Sequence, residues 1–209
     1  MSAPRSLSDE EFSAYLAKWK ERFPKTYLAP ILWGFAGLRL LEVRSLLWAD
    51  VLVNNQPAME LKLIKTSNHQ ARARTLPLAN NVRVEIMHHL ARCNYEDGVP
   101  EPYKTFLLPG TKQTMMSERT LEWQAEMIGK QACARHITPH MLRHTFATRL
   151  LPVSNIRVVQ NALGHRSIKS TERYTHPTYH DLARAIEKSS AALHPPPLPL
   201  PPEKTTTTQ

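Results

Sequence analysis

The sequence predicts a mainly α-helical domain with one small antiparallel β-sheet, an α+β arrangement. Three observations lead there. Apolar residues recur at helical spacing along most of residues 8–193. Several of these stretches open on a capping residue or close on glycine. Strand-like runs are confined to residues 57–78.

Residues 8–22, SDEEFSAYLAKWKER, begin with a capping box, Ser8 and Glu11, and set Phe12, Tyr15, Leu16 and Trp19 on one helical stripe. A second helix runs through TYLAPILWGFA, with Pro30 near its start or at a kink, and Gly37 breaks it. LRLLEVRSLLWADV resumes as one short helix that leaves through Trp48-Ala49-Asp50. MELKLIK and ARTLPL, separated by the polar TSNHQA, read as a β-hairpin with a long tip. ANNVRVEIMHHLARCNY returns to helix, FLLP is extended, and SERTLEWQAEMIGKQA is a helix capped by Ser117. Thr138 caps the next helix, PHMLRHTFATRLL, with Pro139 at its first position. NIRVVQNAL is a short helix ended by Gly164, and a short piece surrounds STERYTH. YHDLARAIEKSSAAL is the last helix.

The chain of 209 residues is 42% hydrophobic, enough for one domain over residues 1–193. The tail, HPPPLPLPPEKTTTTQ, residues 194–209, holds six of the 17 prolines and reads as disordered or polyproline II. It carries one Glu and one Lys, so the formal charge of +9 lies on the globular part. With a pI near 9.8, the charge points to a polyanionic partner, most simply nucleic acid; the alternative is a merely basic soluble protein. Cys93 and Cys133 form no CxxC and read as buried thiols of a reducing compartment. MSAPRSLSDEEF has no apolar signal core, and YLAPILWGFAGL is too short and interrupted to span a bilayer. A cytoplasmic protein without a membrane partner is expected.

Several polar groups stand where a core would not put them. Arg39 follows a glycine turn, with Glu42 three residues on. Lys65 closes a strand. His140 and Arg143, three apart, share a helical face near a helix N-terminus, where an anion is favoured. His165 follows the helix-ending Gly164, and Tyr174 comes nine residues after His165. Each has an ordinary reading alone: an ion pair, an exposed lysine, helix capping, a loop histidine, a half-buried tyrosine. His136 and His140 have i, i+4 spacing, but Thr138-Pro139 starts a helix between them, so no metal site is expected.

Together these pieces resemble the tyrosine recombinases, the phage integrase family. GLRLLEVRSLLWADV, PHMLRHTFATRL, VVQNALGH and YTH each look like boxes of that family, in order, across nearly all of residues 8–188. The resemblance implies the integrase catalytic-domain fold and an enzyme that cuts and rejoins double-stranded DNA. It also implies a homotetramer on paired sites, a Holliday junction and, in some members, accessory DNA-bending proteins. The family's nucleophile maps onto Tyr174, its two arginines onto Arg39 and Arg143, and its hairpin lysine onto Lys65. Its histidine positions map onto His140 and His165, and its supporting acid onto Glu42.

The chemistry suits these residue types. Two guanidinium groups can grip the non-bridging oxygens of a phosphodiester and carry the charge of its transition state, which removes the need for a metal. Tyr174 would attack, His140 would take its proton, Lys65 would protonate the leaving 5′ oxygen, and His165 would donate to the phosphate. A 3′-phosphotyrosyl link stores the bond energy, so no ATP or other cofactor is needed. Gly129-Lys130 is not followed by Ser or Thr and makes no P-loop.

Two features depart from the family pattern. Lys65 sits in Ile64-Lys65-Thr66 without the frequent flanking glycine, which keeps Lys62 as an alternative. Only seven residues precede the first helix, so the N-terminal DNA-gripping (core-binding) domain of many members is expected to be absent, as in the short members. Competing readings are a type IB topoisomerase-like activity and a catalytically silent DNA-binding regulator. The face of Leu182, Ala185, Ile186 and Leu193 could dock on a neighbouring protomer or on its own domain.

Overall fold

The computed structural model describes residues 6–53, 56–67, 70–93, 105–164 and 179–191; for residues 64–67, 70–73, 181 and 191 it describes the backbone. Nine α-helices and two two-stranded antiparallel sheets are found among the described residues. The mainly α-helical arrangement with a small antiparallel sheet expected from the sequence is therefore present, with a second two-stranded sheet beside it.

Helix α1, Asp9–Arg22, starts on the expected capping box: the Ser8 hydroxyl accepts from the Glu11 N–H at 3.2 Å, and Glu11 accepts from the Ser8 N–H at 2.8 Å. Its buried stripe is Phe12, Tyr15, Leu16 and Trp19. Helix α2, Leu28–Phe35, buries every residue and forms the centre of the domain. Pro30 lies in its first turn, where a missing N–H costs no helical bond, so the proline makes no kink. Trp19 packs edge-on against Trp33 of α2, with ring centroids 5.9 Å apart. Two of the polar tips of this aromatic layer are satisfied, while Trp33 Nε1 has no partner among the described residues. Trp19 Nε1 donates to Thr26 at 3.2 Å and the Tyr15 hydroxyl donates to the Ala125 carbonyl at 3.2 Å.

One stretch departs from its sequence reading. LRLLEVRSLLWADV divides into α3, Leu40–Ser45, and α4, Trp48–Val51. Leu46 and Leu47 are extended because a distant segment pairs with them: the Leu107 N–H donates to Leu46 at 2.8 Å, and the Trp48 N–H donates to Thr105 at 3.1 Å. Asp50 then accepts from the Leu47 N–H at 2.7 Å and restarts the helix. FLLP is accordingly tied to this break by a Leu47–Phe106 bridge.

A small ribbon, β1 (Leu52–Val53) with β2 (Gln56–Pro57), was not foreseen. The main hairpin pairs β3, Glu60–Ser67, with β4, Gln70–Pro77. Its strands run further than expected, pairing Thr66 with Ala71 and Ser67 with Gln70. The ladder is made by backbone groups, so polar side chains do not end it.

Helix α5 covers Asn80–Arg92, and α6, Glu118–Cys133, starts on Ser117, whose hydroxyl accepts from Thr120 at 3.0 Å. Helix α7, Pro139–Leu150, starts on Thr138 as read. Helix α8, Ile156–Leu163, is capped by Asn155 and ends at Gly164 in the left-handed region, φ +62°. Helix α9, Tyr179–Ala191, buries Leu182, Ala185 and Ile186 against α7, α8, β4 and α2 of its own domain, the second of the two placements left open. No helix among the described residues is long and apolar enough to cross a membrane. Cys93 and Cys133 are half-buried rather than buried; burial raises both thiols above their ordinary value. The Pro-rich tail lies outside the described residues.

Candidate active site

The site begins at Gly37. Its φ of +63° turns the chain from α2 into α3, and a Cβ there would run into the Phe146 ring of α7. Tight packing at this turn leaves the Gly37 carbonyl to accept a hydrogen bond from Arg143 Nη1. Arg39, two residues on, precedes α3. Its N–H donates to Glu42 Oε2 at 2.7 Å and its Nη1 donates to Glu42 Oε1 at 2.9 Å.

Arg143 arrives from α7 and is buried. Its Nη2 donates to the Leu163 carbonyl at the end of α8, at 2.6 Å. Its Nη1 lies 3.8 Å from Glu42 Oε2. Arg39 Nη2 donates to the Gly164 carbonyl at 3.1 Å. Residues 39, 42, 143 and 164, scattered along the chain, thus meet at the C-terminus of α8, whose orphan carbonyls carry partial negative charge.

The sequence reading missed a third guanidinium here. Arg74 of β4 donates from Nη2 to Glu42 Oε2 at 2.9 Å and from Nη1 to the Leu163 carbonyl. A signal was available. Arg74 stands opposite Leu63 and two residues from Leu76, both buried, so it is a charged residue in the inward phase of a strand. Three arginines therefore surround one carboxylate, an excess of two positive charges. Burial, then the neighbouring Arg39 and Arg74 charges, push Arg143 down to about 10, against the opposing pull of Glu42. Arg74 is also lowered, chiefly by burial. Both stay ionised at neutral pH.

The remaining expected residues are placed as follows. His140 is exposed on the first turn of α7, three residues before Arg143. The backbone of residue 65 pairs with Arg72 in the hairpin. By register and the period of two, position 65 falls on the ribbon face of Leu63 and Arg74, whereas Lys62 is on the opposite, exposed face. His165 and Tyr174 lie outside the described residues. Tyr179 is the described tyrosine nearest Tyr174, and burial together with a hydrogen bond to Glu60 raises its phenol above the ordinary value.

Two further basic groups near α7 have acidic partners. Arg149 pairs with Asp9 at 3.0 Å and covers the Phe12 ring, 4.3 Å from its centroid. His136, before the helix, lies 3.7 Å from Glu126 on the surface.

Comparison with known proteins shows the family of the chain. Residues 10–181 match the model of the phage integrase family. The chain belongs to that family. It is 35% identical over 156 residues to the tyrosine recombinase XerC of Vibrio vulnificus strain YJ016, covering 74% of this chain and 46% of that one. It thus spans about half the length of the curated relatives it matches. Among solved structures, the integrase of mycobacterium phage Brujita superposes with a TM-score of 0.67 at 23% identity, covering 90% of this chain and 58% of that chain. The XerH site-specific recombinase, solved bound to palindromic difH substrate as a post-cleavage complex, has a TM-score of 0.60 at 26% identity, covering 79% and 48%.

Proposed function

We propose that the chain carries the catalytic unit of a site-specific recombinase that cleaves and rejoins double-stranded DNA. The observation that carries this reading is the gathering of Arg39 and Arg143 around Glu42 at the turn leading into His165. Two guanidinium groups held with an excess of positive charge suit a phosphodiester, and Arg39 is the more exposed of the two.

In this reading the Tyr174 phenolate oxygen attacks the phosphorus, the bond to the 5′ oxygen breaks, and a 3′-phosphotyrosyl link forms. His140 accepts the phenol proton, and Lys65 gives a proton to the leaving 5′ oxygen. Arg39 and Arg143 carry the charge on the non-bridging oxygens, His165 donates to them, and Glu42 holds the arginines in place. A free 5′ hydroxyl from a partner strand reverses the chemistry. Exchange of two strand pairs through a Holliday junction would take four protomers on two sites. The relatives named as recombinases support the reaction class.

Covalent trapping tests the proposal. The chain is incubated with nicked suicide DNA from its own genetic neighbourhood, and a denaturation-resistant adduct is sought. An adduct that survives Tyr179→Phe and disappears in Tyr174→Phe is the expected result. An adduct that survives Tyr174→Phe refutes the assignment of the nucleophile. Arg143→Ala should abolish cleavage at normal DNA occupancy; full cleavage in that variant removes the role given to the cradle.

A further inference from the structure

Arg74 is the cradle member that the reaction scheme above does not use. It comes from the hairpin, whereas Arg39 and Arg143 come from the helical body. It touches two elements at once: Glu42 through Nη2 and the last carbonyl of α8 through Nη1. A Cβ on Gly164 would collide with that same guanidinium, so the left-handed glycine leaves room for it as well as ending the helix. The Arg74 side chain is 13% exposed, between Arg143 at 6% and Arg39 at 32%, and its Nε is buried with no partner among the described residues. Both of its bonded partners, the Glu42 carboxylate and the Leu163 carbonyl, are protein groups.

Its position relative to Glu42 has a specific consequence. Glu42 Oε2 lies 2.9 Å from Arg74 and 3.8 Å from Arg143. The carboxylate oxygen nearest Arg143 is therefore already held, by the Arg74 guanidinium and by the Arg39 N–H. Without Arg74, Oε2 would keep only the Arg39 N–H, and Glu42 could close the 3.8 Å gap to Arg143 and neutralise the charge meant for the phosphate. The Leu163 carbonyl, now shared between Arg74 and Arg143, would fall to Arg143 alone.

We infer that Arg74 is a positioning residue: it draws Glu42 away from Arg143 and clamps the end of α8 to the hairpin that carries Lys65. This rests on the strand-transfer reading. Register supports the link, because positions 65, 72 and 74 share one face of the ribbon. A shift of the hairpin would then move the Lys65 position and loosen Glu42 together.

The test compares Arg74→Met, Arg74→Lys and wild type in single-turnover cleavage of suicide DNA at saturating DNA. The affinity and its salt dependence are measured separately. The inference expects cleavage to slow roughly 10- to 100-fold in Arg74→Met, as misplaced catalytic groups do. Arg74→Lys, which keeps the charge but not the fork, should recover part of the rate. DNA affinity and salt slope should stay at wild-type values. The loss in Arg74→Met combined with Glu42→Gln should be smaller than the product of the single losses. A folded Arg74→Met that cleaves within about two-fold of wild type overturns the inference, since a misplaced cradle costs far more. So does a salt slope lowered by about one, the signature of a lost phosphate contact. If Arg74→Met does not fold, Arg74→Lys decides on the same criteria. Amide hydrogen exchange of DNA-free protein gives a readout independent of cleavage. The Gly164 N–H, bonded to Asn161 at 3.0 Å, should exchange faster in the variants, and unchanged exchange refutes the clamp. A wild-type chain that forms no adduct would sink the strand-transfer reading, while the exchange result would still decide the clamp.

Discussion

Replacing Glu42 by glutamine should reveal how much the arginine cradle costs to hold together. Glu42 accepts from the Arg39 N–H at 2.7 Å, from Arg39 Nη1 at 2.9 Å and from Arg74 Nη2 at 2.9 Å, and it lies 3.8 Å from Arg143. Glutamine keeps the shape but removes the charge, and it points an amide N–H₂ at a guanidinium. Removing one partner of a buried ion pair costs about 3–5 kcal/mol. The Arg39 contact is a third exposed, so its share is screened, and about 3 kcal/mol is the working figure. Against a total stability of about 5–15 kcal/mol this is a large fraction. Urea unfolding followed by tryptophan fluorescence measures it, because Trp19, Trp33 and Trp48 are buried. Sulfate should restore more stability to Glu42→Gln than to wild type, since an anion in the cradle replaces the lost carboxylate. A loss below about 1 kcal/mol, the scale of an ordinary exposed pair, would refute the view that Glu42 holds three mutually repelling cations together. So would equal sulfate responses.

Other substitutions probe the supporting structure. His89 is stacked on Trp48, hydrogen-bonds the Leu107 carbonyl at 2.9 Å and is pushed by burial down to about 4. Its folded value lies below the unfolded one of about 6.5, so its stability contribution is complete above that pH and is lost as pH falls towards 4. Wild type should therefore lose about 3 kcal/mol more than His89→Gln between pH 7 and pH 4, read from urea midpoints; parallel pH curves would contradict this. Gly37→Ala places a Cβ against the Phe146 ring at a positive φ. It should destabilise the domain by about 2 kcal/mol or more, combining overpacking with backbone strain, and a neutral melt would count against the turn as drawn. Ser8→Ala removes one half of the capping box of α1 and should cost about 1 kcal/mol in thermal unfolding; no change would mean that the N-terminal turn is held by other contacts.

What the sequence made legible is what local chemistry decides. Ser8, Ser117 and Thr138 mark helix starts because each side chain accepts from its own first turn. Gly164 marks a helix end because its left-handed geometry suits glycine. Arg39, Glu42 and Arg143 were singled out as polar groups in apolar surroundings, and the fold brings them together. The misses have a common cause. The break between α3 and α4 is imposed by residues 105–107, more than fifty positions away, which pair with Leu46, Leu47 and Trp48. Arg74 was passed over because its two partners, Glu42 and Leu163, lie 32 and 89 positions away in the chain. Nothing in ARARTLPL alone distinguishes it from Arg72, except its place beside Leu76 in the buried phase.

The burial of Arg143 beside two other guanidinium groups suits such a cradle to an anion. Burial makes the charged guanidinium costly, and Arg39 and Arg74 add repulsion that Glu42 offsets in part. The protein meets these costs on folding, before any ligand arrives. An oxyanion entering beside Arg39 and Arg143 meets donors already oriented and partly stripped of water, so little reorganisation is left for the moment of reaction. The advantage grows as the anion gains charge, so a phosphorane-like transition state profits more than a ground-state diester. Neutralising the cradle completely with a second carboxylate would stabilise the fold and remove that advantage. In the proposed reading, one acid among three arginines is therefore a compromise in which Glu42 makes assembly possible and the excess of two positive charges remains for the phosphate.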